Sequence, residues 1–226
     1  MSRLFRSLIV MLGIVCSMSL ALAAPAAAQT PTVDVAEVTD IVADTDVDAL
    51  LAALEVPMED ETLPEGFTDA IFVDPEEATP EAGLLTEDDL AGTIGAVAYT
   101  ITGDPETFEA ETILVGVQYV AFDEAELGDD PLGDFIEGAE GGLGDLPEGT
   151  EASVEEVEVG GTPAALLTLV QDGVVVQYFA VPVGNFFVFA TVTVAGDAVD
   201  PELVMSSSEA LAISAIGHLG TTAADS

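Results

Sequence analysis

The chain of 226 residues has one Cys, no Trp, one His and only two Lys or Arg against 43 Asp or Glu. Each scarcity excludes something. One Cys forms no intrachain disulfide, so stability rests on an apolar core, which the 50 % hydrophobic composition can supply. One His and one Cys are too few for a structural zinc site. Nucleophilic catalysis lacks its parts, since there is no Lys beside a candidate nucleophile and no Gly-x-Ser-x-Gly around any Ser. The Gly138–Gly144 stretch has neither the Lys nor the preceding strand of a phosphate-binding loop. Without Lys and Arg, phosphates go unneutralised, which excludes nucleic acid, and an anionic membrane surface repels the chain.

Both basic residues, Arg3 and Arg6, stand at the amino terminus ahead of an apolar run from Leu8 to Ala24. Ala26-Ala27-Ala28 follows as a small-residue cleavage site, the layout of a secretory signal peptide. The sequence predicts cleavage near Ala28 and a secreted protein, extracellular or periplasmic, of bacterial type. The alternative is an uncleaved anchor, because the apolar run nearly spans a bilayer. Removing residues 1–28 takes away both Arg and the only Cys, Cys16, and leaves all 43 carboxylates with no Lys or Arg. Self-repulsion on that scale calls for screening cations, as in a salty exterior. Solvent cations are thus expected partners, whether the acidity is halophilic adaptation or cation binding.

Past a short tail, two helical patterns occupy roughly Val35–Ala43 and Val47–Val56, with Val35, Val38 and Val42 on one stripe. Met58–Leu90 is acidic and broken by Pro and Gly, and reads as a linker or covering loop anchored by Phe67, Ile71 and Phe72. Six strands follow at Gly92–Thr102, Glu111–Phe122, Ala152–Val159, Ala164–Gln171, Val174–Val181 and Phe186–Val194. A helix opening at Asp130–Pro131 and ending at Gly141–Gly142 separates the second strand from the third. A last helix, capped by Asp200 with Pro201 behind it, is expected to stop near Leu219 before Gly220. The fold class is α+β: a mainly antiparallel sheet of about six strands covered by helices, preceded by a signal peptide and a short helical acidic segment. The divisions are 1–28 signal peptide, 29–90 acidic helices and linker, 91–220 α+β domain and 221–226 polar tail. The layout resembles many small extracellular sensor or envelope domains in architecture, which does not give function. VGVQYVAF (Val115–Phe122) and VVVQYFAV (Val174–Val181) agree at five of eight positions, an echo of a ββα duplication or of the narrow palette of strand residues.

Asp44, Asp46, Asp48 and Glu55 fall at positions 1, 3, 5 and 12 of a calcium-loop frame. The frame fails at position 6, where Gly is needed and Ala49 stands, and Pro57 blocks the exiting helix. A helix start fits better, with Thr45 as cap and Asp48 three residues on. Asp129, Asp130 and Asp134 form another carboxylate group, expected to cap and solvate a first helical turn. Glu59, Asp60 and Glu61 are a charge run, expected to be solvated. His218 is placed in the last turn of the final helix, where a cation suits the helix end. Phe186, Phe187 and Phe189 read as a strand buried on both faces rather than a binding patch. No catalytic, cofactor or metal residue is therefore assigned. The expected function is a non-enzymatic secreted domain that binds an unknown protein or small-molecule ligand across its sheet. The alternatives are a calcium- or cation-binding secreted protein and a hydrolase working through paired carboxylates.

Overall fold

The computed structural model describes residues 33–73, 93–123, 128, 130–143, 146–147, 149–197 and 199–226. The expected signal peptide with its cleavage site, most of the expected linker, and Asp129 lie outside those residues. The elements run α1 (Val35–Ala43), α2 (Val47–Ala53), a 3-10 turn (Asp60–Thr62), β1 (Phe67–Val73), β2 (Gly95–Gly103), β3 (Thr112–Ala121) and α3 (Pro131–Leu143). Then come β4 (Glu151–Val159), β5 (Thr162–Gln171), β6 (Val174–Val183), β7 (Phe186–Ala195) and α4 (Pro201–Asp225). The strands form one antiparallel sheet in the order β1-β2-β3-β7-β6-β5-β4.

Four strands, β4 to β7, are successive hairpins because tight turns separate alternating apolar runs. At the β5–β6 turn, Asp172 and Gly173 both take positive φ (47° and 81°), the backbone that a two-residue hairpin requires. The meander closes on β3, which pairs with β7 over ten positions from Thr112↔Ala195 to Ala121↔Phe186. That pairing puts β3 and β7 in the middle of the sheet and buries both on two faces.

The two faces have separate cores. On one, α1, α2 and α4 cover Val97, Tyr99, Val117, Tyr119, Phe179 and Val188. On the other, α3 lies over β4, β5 and β6, with Leu132 buried in one cluster with Leu167, Tyr178, Phe187 and Phe189, and Ala139 buried on the same helix. Phe135 of α3 stacks on Phe187 at 5.9 Å between ring centroids, and Phe187 on Phe189 at 5.7 Å. Phe186 points into the opposite core, so the NFFVF segment is a strand buried on both faces, as expected. Each large apolar side chain so covered contributes roughly 1.5–3 kcal/mol relative to exposure.

Helix starts follow from local chemistry. Asp34 caps α1 by accepting from the Ala36 and Glu37 amides at 3.2 Å. Asp200 caps α4 by accepting from Glu202 N at 3.0 Å. Asp46, not Thr45, caps α2: its carboxylate accepts from Ala49 N at 2.9 Å, while the Thr45 hydroxyl donates back to Ile41 O.

Three further expectations are corrected. The sheet has seven strands, because Phe67–Val73 pairs with β2 instead of lying over the domain as a loop. α3 continues through Gly141 and Gly142 to Leu143. α4 continues through Gly220 to Asp225, so 221–226 is mostly helix. Gly220 is there for close approach: a Cβ on it would lie 2.7 Å from Val38 Cγ2 of α1. The echoed octapeptides face opposite ways, since Tyr119 belongs to the core under α4 and Tyr178 to the core under α3.

Candidate functional site

A cleft of about 760 Å³ opens between the carboxy-terminal half of α4 and the segment that runs from the end of α2 through the 3-10 turn. The sequence builds its walls from two directions. Pro57 ends helical structure after α2, Pro64 ends the turn, and the apolar residue just before each, Val56 and Leu63, lines the cleft. On α4, Ser214, Gly217, His218 and Thr221 follow at the i, i+3, i+4, i+7 spacing that puts them on one helix face. Ser214 Oγ donates to Thr62 O at 2.7 Å and fastens the two walls together. Glu59, Glu61, Glu65 and Asp225 supply its carboxylates.

His218 joins this cleft to the interior. Its ring lies 6.2 Å from both the Tyr99 and Tyr119 rings, which meet edge-on at 5.9 Å. Both tyrosines are fully buried and send their hydroxyls to backbone carbonyls. Tyr119 donates to Ala215 O of α4 at 2.9 Å, and Tyr99 donates to Leu54 O at the end of α2, with Val56 O at 3.4 Å. Burial pushes both phenols up, and for Tyr119 the neighbouring Tyr99 adds to the shift. Burial lowers the pKa of His218, and a hydrogen bond with the Val56 backbone partly offsets this. His218 Nε2 is buried with no hydrogen-bond partner among the described residues. The expectation of a last-turn histidine serving the helix end is thus overturned, because the helix runs seven residues further and desolvation favours the neutral ring.

Ser214 and His218 sit one turn apart, a spacing that can unite a hydroxyl and a base. Here the hydroxyl proton goes to Thr62 O, and no hydrogen bond links the two side chains.

The carboxylate groups singled out in the sequence have structural duties. Asp46 is a cap, and Asp44 ends α1. Asp60 Oδ1 accepts from Asp69 N at 2.8 Å and holds the bulge of β1, where Asp69 takes a φ of 50°. Asp130 Oδ1 accepts from Gly133 N at 3.0 Å at the start of α3. No group of three or more His, Cys, Asp or Glu among the described residues is placed to hold a metal ion. Glu59 and Glu61 line the cleft, which the charge run alone gave no reason to expect. The Tyr99–Tyr119–His218 cluster had one faint signal: two of only three Tyr stand at inward positions of adjacent strands.

No protein-family model matches the chain, and no curated protein matches it. Solved structures similar in part include a protein of unknown function from Pseudomonas aeruginosa, at 14 % identity and TM-score 0.26, covering 42 % of this chain and 76 % of that one. The extracellular domain of PknH from Mycobacterium tuberculosis is similar at 12 % identity and TM-score 0.39, covering 85 % of this chain and 100 % of that one. An uncharacterized protein from Mycobacterium smegmatis is similar at 17 % identity and TM-score 0.31, covering 76 % and 99 %. At these TM-scores the likenesses carry no argument about function. Among the described residues, no helix is long and apolar enough to cross a membrane.

Proposed function

We propose that the protein is an exported, strongly acidic, non-enzymatic domain that binds a ligand in the cleft between α4 and the Val56–Glu65 segment. The cleft carries the proposal. Its volume falls within the roughly 300–1,000 Å³ of small-molecule sites, and it joins an apolar floor to a few polar groups. Helices occupy both faces of the sheet over β4–β6, which favours the cleft over the sheet as the place for a ligand. Export rests on the basic, then apolar, amino terminus with its small-residue site. The non-enzymatic reading rests on the hydroxyl of Ser214, which is bonded to backbone rather than to a base.

A thermal-shift screen of small molecules, run beside a hydrolase turnover panel, tests this reading. Thr221→Phe fills the cleft from an exposed helix position. The expected outcome is a ligand-dependent rise in Tm that the variant loses, without turnover. Hydrolysis that disappears on changing Glu59 or Glu61 to Gln would overturn the non-enzymatic reading. A ligand shift unchanged by Thr221→Phe would overturn the site.

A further inference from the structure

We propose that the cleft takes an organic cation, an amine or ammonium group carried on an apolar body. This rests on the binding reading above and adds the class of ligand.

The donor and acceptor inventory of the cleft leads there. Four of its five hydroxyls donate to backbone carbonyls: Thr62 to Glu59 O at 2.7 Å, Ser214 to Thr62 O at 2.7 Å, Thr221 to Gly217 O at 2.9 Å and Ser226 to Thr222 O at 2.6 Å; the fifth is that of Thr222. The four donating oxygens therefore meet a ligand with lone pairs only. The carboxylates of Glu59, Glu61 and Asp225 add further acceptors. No Lys or Arg occurs after Arg6, so no side-chain cation competes for them. Burial keeps the His218 ring toward its neutral form and adds no positive charge. A ligand that enters must supply the positive charge and most of the donors, and an anion would meet carboxylates with no counter-charge.

The kind of cation follows from how the charge is arranged. A hard metal ion needs several oxygens converging within about 2.0–2.6 Å of one point. The described residues bring no such group together. Dispersed carboxylates around an apolar floor instead suit a cation whose charge sits on a larger, partly apolar molecule. Val56, Pro57 and Leu63 give that body surface to cover, at roughly 25 cal/mol per Å² removed from water.

The whole surface is acidic, so the test must separate the cleft from diffuse attraction. Calorimetry in 1 M NaCl, where the Debye length is ~3 Å, compares benzylamine, benzyl alcohol and benzoate, which share one apolar body. Glu59→Gln with Glu61→Gln is set against Glu155→Gln with Glu156→Gln on β4, an equal change in net charge. Benzylamine should saturate a single site, with benzyl alcohol about tenfold weaker and benzoate silent. The cleft pair should weaken benzylamine about fivefold, the scale of two partly exposed charge contacts, and the β4 pair less than twofold. Thr221→Phe should abolish binding. Ala53→Leu, from the opposite wall, should weaken it and serves if the first plug does not fold. Equal binding of amine and alcohol, lost in the plugged variants, would overturn the cation class and leave the binding reading standing. Absence of saturable benzylamine binding overturns the cation class as well. Binding that survives the plugs, or that both Glu pairs weaken equally, would overturn both.

Discussion

Replacing Tyr99 by Phe deletes one oxygen from the seam between the sheet and the amino-terminal helices, and Tyr119→Phe deletes its neighbour. Both side chains are fully buried, so area alone predicts equal effects. The acceptors differ. Leu54 O lies at the carboxy-terminal end of α2, where helix carbonyls have no amide ahead of them, so Tyr99→Phe leaves it without its hydroxyl partner. A stranded buried acceptor costs about 1–3 kcal/mol, and we expect about 2 kcal/mol. Ala215 O lies inside α4 and keeps the bond of the next helical turn, so Tyr119→Phe should cost about 1 kcal/mol. Urea melts in 1 M NaCl read both values, and thermal melts should fall by about 6 °C and about 3 °C for a chain of this size. An equal or larger loss for Tyr119→Phe would refute the assignment of Leu54 O as the dependent acceptor.

Protonation of His218 should destabilise the fold. Its folded pKa is lowered, so between the ordinary 6.5 and the folded value the unfolded chain binds a proton that the folded chain does not, and stability falls as pH drops through that window. The two phenols that face it do not titrate there. The stability difference between the protein and His218→Gln, measured in 1 M NaCl, should therefore shrink from pH 7.5 to pH 5, and a constant or growing difference would contradict this. Gly220→Ala should lose about 1 kcal/mol despite the gain of roughly 1 kcal/mol in helix propensity, because the new Cβ meets Val38. Val38→Ala in the same chain should recover part of that loss in a double-mutant cycle, and additivity would refute the close approach. NaCl and CaCl₂ at matched ionic strength should raise Tm alike, as screening requires. A saturable extra rise in calcium would reveal a built site.

Much of the sheet was legible because its signals are local. Alternation and the Asp172–Gly173 turn fix β5 and β6 within a few residues, since a strand buried on both faces tolerates little else. β1 was missed for an equally local reason. The bulge between Thr68 and Ile71 breaks its alternation, and Asp69 sits there in left-handed backbone. Gly220 was misread because a helix stop and a helix–helix contact call for the same residue, and only Val38, far away in sequence, distinguishes them. The cleft was invisible for the same cause. Its polar logic depends on Ser214 reaching Thr62 and Tyr99 reaching Leu54, contacts 152 and 45 residues apart in sequence.

The chain has a single histidine, and in untagged protein its imidazole protons give one resolved reporter inside the proposed site. Proton NMR of His218 during a benzylamine titration, at constant pH in 1 M NaCl, tests ligand binding in the cleft most directly. The account predicts a saturable shift that benzoate does not produce and that Thr221→Phe removes. A His218 signal that stays still, or drifts without saturating, would contradict it.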